Sequence, residues 1–347
     1  MQFDHAEEED NGVPLSPDFT LDMARNSKVK VTHKYTLGDC STQTFSVKYD
    51  PNDKYIAAAS KDGTIKLFNV LTGKPSYVLN SHMETPYPMI QIRWRPLKGP
   101  GITKNVLISV SSDGSVQHWH TTSGRLLHTI HEEDNQLFGA DYKPDGSMFA
   151  VCGNDPTIKV YDEMTRKLVV NLSGSATGLP GHELRVFAVK FDKLDENILC
   201  SGGWDKTVQI WDLRVGGPVR SLLGPSICGD SLDLFDGFIL TGSYRQENPL
   251  EVWDLGTAKL ITPIDWNAAL ESKLPCQLYS AQFEKERGDL VAAGGAVSNE
   301  VKIFDGIDNF RPLAQIRDLS RANYSVDFAH NNSEFAIGGG DGVVRVF

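Results

Sequence analysis

From residue 28 onward the chain alternates short apolar runs with polar turns, and the pattern renews itself seven times. Runs at 45–49, 90–94, 138–142, 186–191, 231–235, 279–283 and 324–328 have strand length and are bounded by turn chemistry. A second run follows each of them, at 55–59, 106–110, 149–153, 198–202, 238–242, 290–294 and 335–339. A third run then ends on an aromatic: Phe68, Trp119, Tyr161, Trp211, Trp253, Phe304 and Phe347. By subtraction these aromatics stand 51, 42, 50, 42, 51 and 43 residues apart. In five repeats an Asp lies six residues before the aromatic (Asp62, Asp113, Asp155, Asp205 and Asp341), inside a tight turn. One spacing held over the whole chain predicts a repeat architecture rather than two unrelated domains.

Fourth runs occur at 76–79, 126–130, 168–172, 219–222, 260–264 and 313–316, but the seventh repeat stops at its third. The spare strand-like segment is at the other end, residues 29–37.

Residues 181–212 show the unit most completely. His182 opens it, Ser201 lies in the second run, Asp205 in the turn and Trp211 at the end of the third. These landmarks resemble one blade of the WD-repeat β-propeller family, whose signature is Gly-His early and Trp-Asp late. The resemblance covers the chain from residue 28 and implies an all-β, seven-bladed propeller of four-stranded antiparallel blades, closed by the N-terminal strand. It also implies that His182, Ser201, Asp205 and Trp211 form a buried hydrogen-bonded tetrad, with a second one in His82, Ser109, Asp113 and Trp119. A buried carboxylate is costly unless satisfied, and a satisfied network pins the loops that supply it. His182 and Asp205 are therefore read as structural, although their pairing imitates catalysis. Elsewhere the tetrad departs from the pattern: Ala58 and Val151 replace the Ser, and four aromatics other than Trp close the unit.

Residues 1–27 are acidic and poor in apolar positions, which predicts a disordered tail with 19–23 as a possible docking segment. Residues 28–347 then form a single propeller. The stretch 266–274, with apolar spacing at Trp266, Ala269, Leu270 and Leu274, reads as a short helix.

The net charge of −11 disfavours nucleic acid and anionic membrane surfaces as partners. Five scattered cysteines, without a Cys-x-x-Cys pair, argue against a disulfide framework and a thiolate metal site. They fit an intracellular, cytoplasmic protein. No apolar run is long enough to span a bilayer. The cluster His128, His131, Glu132, Glu133 and Asp134 offers metal-ligand types, but its place at a fourth-strand end reads as a solvated turn. No phosphate loop, nucleophile elbow or leftover Ser–His–Asp set occurs, so no cofactor, metal or catalytic residue is expected.

What remains is a binding surface. In the resembled family, the start of each first strand and the residue before the turn Asp ring the top mouth of the central channel. Aligned on 186–191, the ring is Phe45, Ile90, Phe138, Phe187, Asp230, Tyr279 and Tyr324, with Arg185 and Trp204 beside it. Aromatics and Arg dominate binding hot spots. The expectation is a noncatalytic scaffold holding a protein or peptide partner on this face, with Arg185 and Asp230 as polar anchors. The rival readings are a purely architectural subunit of a larger assembly and a funnel enzyme.

Overall fold

The computed structural model describes residues 19–25, 27, 29–39, 41–80, 86–97, 104–174 and 178–347. Within them the chain forms seven antiparallel sheets, five of them made of four consecutive strands, and the strands of each blade are lettered a to d from the central channel outward. Blade 1 is Thr44–Tyr49, Tyr55–Ser60, Thr64–Asn69 and Pro75–Asn80. Blade 2 is Met89–Trp94, Val106–Ser111, Ser115–His120 and Arg125–His131. Blade 3 is Leu137–Tyr142, Met148–Gly153, Ile158–Asp162 and Leu168–Leu172. Blade 4 is Val186–Phe191, Ile198–Gly203, Thr207–Asp212 and Gly217–Leu223. Blade 5 is Leu232–Phe235, Phe238–Gly242, Leu250–Asp254 and Leu260–Ile264. Blade 6 is Cys276–Phe283, Leu290–Val297, Val301–Asp305 and Pro312–Arg317.

Blade 7 has only three strands from its own repeat: Asn323–Phe328, Phe335–Gly339 and Val344–Val346. Its fourth is β2 (Tyr35–Leu37), which pairs antiparallel with Val344–Val346 and closes the ring. The regular strand is shorter than the expected 29–37, although the Lys34 amide also donates to the Val346 carbonyl. The possible docking segment at 19–23 is also a strand. As β1 (Thr20–Met23) it runs antiparallel along Pro312–Arg317 and gives blade 6 a fifth strand. Phe19 is buried there against His33 and Phe347.

The core lies between blades, because each sheet is apolar on both faces and stacks on its neighbours. Ile108 and Val116 of blade 2 meet Phe149 and Tyr161 of blade 3. Ala150 and Val160 of blade 3 meet Leu199 and Trp211 of blade 4. At the end of strand b, Gly153, Gly203, Gly295 and Gly339 face the carbonyls of Gln136, Arg185, Gln277 and Ala322. A Cβ there would sit 1.9–2.4 Å from those oxygens. This close approach accounts for the paired glycines of the sequence.

The expected helix at 266–274 is absent, and the segment is a run of turns and bends. Its apolar spacing serves anchoring instead. Trp266 is buried, and its Nε1 donates to Glu300 Oε1 at 2.6 Å. The Lys302 ammonium donates to the carbonyls of Trp266 and Leu270, which uses oxygens a helix would need.

Candidate functional site

A one-residue irregularity builds the mouth. In six a-strands the pairing register slips near the strand start, between Thr44/Ser46, Met89/Gln91, Leu137/Gly139, Val186/Ala188, Leu278/Ser280 and Asn323/Ser325. The residue passed over each time is the extra residue of a bulge. These residues are Phe45, Ile90, Phe138, Phe187, Tyr279 and Tyr324, six of the seven ring positions. All six line one cavity of ≈ 310 Å³ at the top of the channel, with Cys228, Gly229 and Asp230 completing the circle from blade 5.

The six are half-buried. Phe138 and Phe187 stack at 4.7 Å between centroids, and Trp204 meets Phe187 at 5.3 Å. Phe45 stacks on Tyr324 at 5.6 Å, and Tyr324 meets Tyr279 edge-on at 5.4 Å. Tyr244, which the sequence reading passed over, extends this arc by packing on Tyr279 at 5.1 Å. Trp204 is 43% exposed at the rim, with the Arg185 guanidinium 4.7 Å above its ring.

Asp230 behaves differently from the anchor that the sequence suggested. Its carboxylate reaches across the channel to Arg93 Nη2 of blade 2 (2.6 Å) and Lys48 Nζ of blade 1 (2.8 Å). Burial pushes its carboxyl up, but Arg93, then Lys48 and Lys190, overcome that and hold it well below the ordinary carboxylate range.

Arg93 and Lys48 belong to a second ring, three residues beyond the first on each a-strand: Lys48, Arg93, Asp141, Lys190, Asp233, Gln282 and Asp327. In the six bulged blades both rings face the channel, since three residues of which one is the extra count as a regular two-residue repeat. Their side chains stitch blade to blade. Asp141, Asp233 and Asp327 each accept a backbone N–H from the next blade (Phe191, Phe283 and Tyr49) at 2.9 Å, as does Gln282 from Phe328. This belt went unnoticed in the sequence, though charge at one fixed offset in six of seven first strands is its signal.

The blade 4 tetrad is complete. His182 Nδ1 lies 2.7 Å from Asp205 Oδ2, His182 Nε2 lies 2.7 Å from Ser201 Oγ, and Trp211 Nε1 donates to Ser201 Oγ at 2.7 Å. Burial raises the Asp205 carboxyl, but the bond to His182 leads the contacts that bring it below its ordinary value. In blade 2, Trp119 Nε1 donates to Ser109 Oγ at 2.9 Å, and Asp113 accepts from the Ser115 amide and hydroxyl. His82 lies outside the described residues. Blades without the pattern satisfy the same places by other means. Thr241 accepts from Trp253 Nε1 at 3.1 Å in blade 5, and Glu132 accepts from the Tyr161 hydroxyl at 2.7 Å in blade 3.

Of the remaining candidate chemistry, Glu132 is turned inward, accepting from Asn135, Lys159 and Tyr161. Among the described residues no group of three His, Cys, Asp or Glu is placed to hold a metal ion, and no helix is long and apolar enough to cross a membrane.

Comparison with known proteins agrees with this geometry. The family model for the WD domain, G-beta repeat, matches residues 32–69, 124–162 and 174–212. An uncharacterized WD repeat-containing protein of Schizosaccharomyces pombe is 26% identical over 248 residues, 70% of this chain and 62% of that protein. The ribosome biogenesis protein WDR12 homolog of Drosophila yakuba is 25% identical over 313 residues, 85% of this chain and 69% of that protein. The guanine nucleotide-binding protein subunit beta-1 of Drosophila melanogaster is 30% identical over 118 residues, 34% of this chain and 33% of that protein. The chain thus spans less than two thirds of the length of the fission-yeast relative. Propellers of this kind generally mediate protein–protein interactions and are typically noncatalytic. With its repeat matches, its relatives and seven four-stranded blades closed by an N-terminal strand, the chain belongs to the WD-repeat β-propeller family.

Proposed function

We propose that this propeller is a noncatalytic scaffold that holds a partner peptide or protein subunit on its top face. The observation that carries the reading is the aromatic collar: Phe45, Phe138, Phe187, Tyr279 and Tyr324 around one cavity, with Trp204 and Arg185 at its rim. Half-exposed rings at a mouth leave apolar surface without a partner, and such surface on a folded protein marks an interaction site. An Arg stacked on a Trp is a typical hot-spot pair.

The commitment of Asp230 to Arg93 and Lys48 decides what the collar selects. Its charge is already matched, so a Lys or Arg anchor entering the mouth gains little from it. An apolar side chain suits the collar, and an acidic residue flanking it suits Arg185. The net charge of −11 weighs against nucleic acid as the partner. Unpaired Cys152, Cys200, Cys228 and Cys276 fit a reducing, intracellular compartment.

The test is affinity purification of bound proteins, followed by partner binding and thermal melting of Phe187→Ala and Trp204→Ala. Each variant is expected to weaken binding about thirtyfold, or ~2 kcal/mol, with the melt unchanged. A collapsed melt makes the rings core. Unchanged binding favours an architectural subunit held by its sides or bottom.

A further inference from the structure

Below the Asp230 bridge the channel widens into a second chamber, of ≈ 370 Å³, opening on the bottom face. Lys190 borders it at the end of the a-strand of blade 4, Lys193 from the loop that follows, and Lys285 from the corresponding loop of blade 6. An ammonium has three protons to donate, and here few are used. Lys285 Nζ contacts Asp327 Oδ2 at 2.7 Å. Lys190 Nζ reaches Asp233 Oδ1 only at 3.5 Å. Lys193 Nζ lies 6.0 Å from the centre of the Phe235 ring, and no carboxylate pairs with it among the described residues.

The charges around the chamber do not balance. Five cations line it (Lys48, Arg93, Lys190, Lys193 and Lys285) against three carboxylates (Asp141, Asp233 and Asp327). Asp230 adds a fourth from above through Arg93 and Lys48. His330 at the rim already faces Asp53. One positive charge is left over, inside a protein whose net charge is −11. The state of Lys285 agrees: burial, with Lys48 and Lys193 adding to it against Asp327, brings its ammonium down to about 8. Its one carboxylate, Asp327, is shared with Lys48.

The geometry points to a carboxylate-binding site in the bottom mouth, where an acidic side chain of a partner peptide sits against Lys193 and Lys285. One unmatched charge calls for a monoanion, and a phosphate group carries about −1.5 to −2 at neutral pH. The walls suit a peptide, because the half-buried Pro51, Trp94, Pro96 and Pro144 offer apolar surface to residues beside the acid. This site is separate from the aromatic collar and does not depend on the top-face reading.

The probe is a fluorescent acetyl-Leu-Glu-Leu amide, measured by anisotropy on the full chain, with its Gln analogue and inorganic phosphate as the other arms. The expected result is saturable binding of the Glu peptide. The Gln analogue and Lys193→Gln should each weaken it about tenfold. Lys193 is exposed, so that variant should keep its melt, whereas Lys285→Gln disturbs a buried pair and is the secondary variant. Trp204→Ala should bind the probe as the parent does. Equal binding of the Glu and Gln peptides, no loss in Lys193→Gln, or no binding at all overturns the proposal. Phosphate binding without peptide binding reassigns the chamber to phosphate and overturns it as well.

Discussion

A single hydroxyl shows how much this molecule asks of individual residues. Ser201 Oγ, fully buried, is shared by the His182 ring and the Trp211 indole, and His182 passes the network on to Asp205. Trp211→Ala removes a completely buried indole and one of that hydroxyl's two bonds, and should cost about 3–5 kcal/mol in denaturant unfolding. An Asp205→Asn variant that kept full stability would contradict the structural role. Acid pH tests a different carboxylate. Burial of Asp53 works against ionisation, yet its bonds from His330 and Asn331 bring it to about 2, from 3.8. Between those values the unfolded chain binds more protons than the folded one. The contribution of Asp53 is therefore complete above about pH 5 and is lost as pH falls through about 2. Asp53→Asn should flatten the dependence of unfolding free energy on pH over that interval.

At the scale of elements, the N-terminal segment straddles a seam. β1 extends blade 6 and β2 completes blade 7, with Phe19, His33 and Phe347 packed between them. Removing residues 1–27 takes away β1 and the burial of Phe19, so it should lower the Tm, with about 2 kcal/mol from the ring alone. Removing 1–37 also takes β2, leaves Val344–Val346 as an open edge, and should give an aggregating product. Equal behaviour of the two truncations, by melting and light scattering, would mean that β2 does not carry closure. The blades were legible in the sequence because a turn Asp, a terminal aromatic and strand-length runs recur together. The regular part of the closing strand was less so: residues 29–34 alternate like a strand but lack a ladder beyond the Lys34 amide. The helix expected at 266–274 failed for a reason periodicity does not encode, since its carbonyls go to Lys302 from another strand.

For the whole molecule the decisive feature is the pair of rings around the axis. The upper ring was readable because an alignment of first strands brings its members into register, and the structure seats all seven at one cavity. The lower ring leaves a signal, a charge at one fixed offset, but its pairing was not legible, because no single strand shows that Asp230 of blade 5 is matched by Arg93 and Lys48 from the other side of the channel. Asp230→Ala should therefore act on stability rather than on partner choice alone. It leaves the buried Arg93 and Lys48 with only Asp141 and Asp327 to match them, at a cost of about 3–5 kcal/mol, and adding Arg93→Met should recover part of that. A stable Asp230→Ala that merely lost a ligand would return this residue to the mouth.

The bridge made by Arg93, Asp230 and Lys48 also fixes how anything can enter. It lies across the axis like a bar across a pipe, with an aromatic funnel above it and a lysine-lined bowl below. A polypeptide cannot be threaded through this propeller as through a bead. A segment that entered either mouth would have to do so as a hook, by a chain end or a tight bend inserted from one side and withdrawn the same way. Segments in the two mouths would then share an axis but not a path, and either could leave without the other having to move.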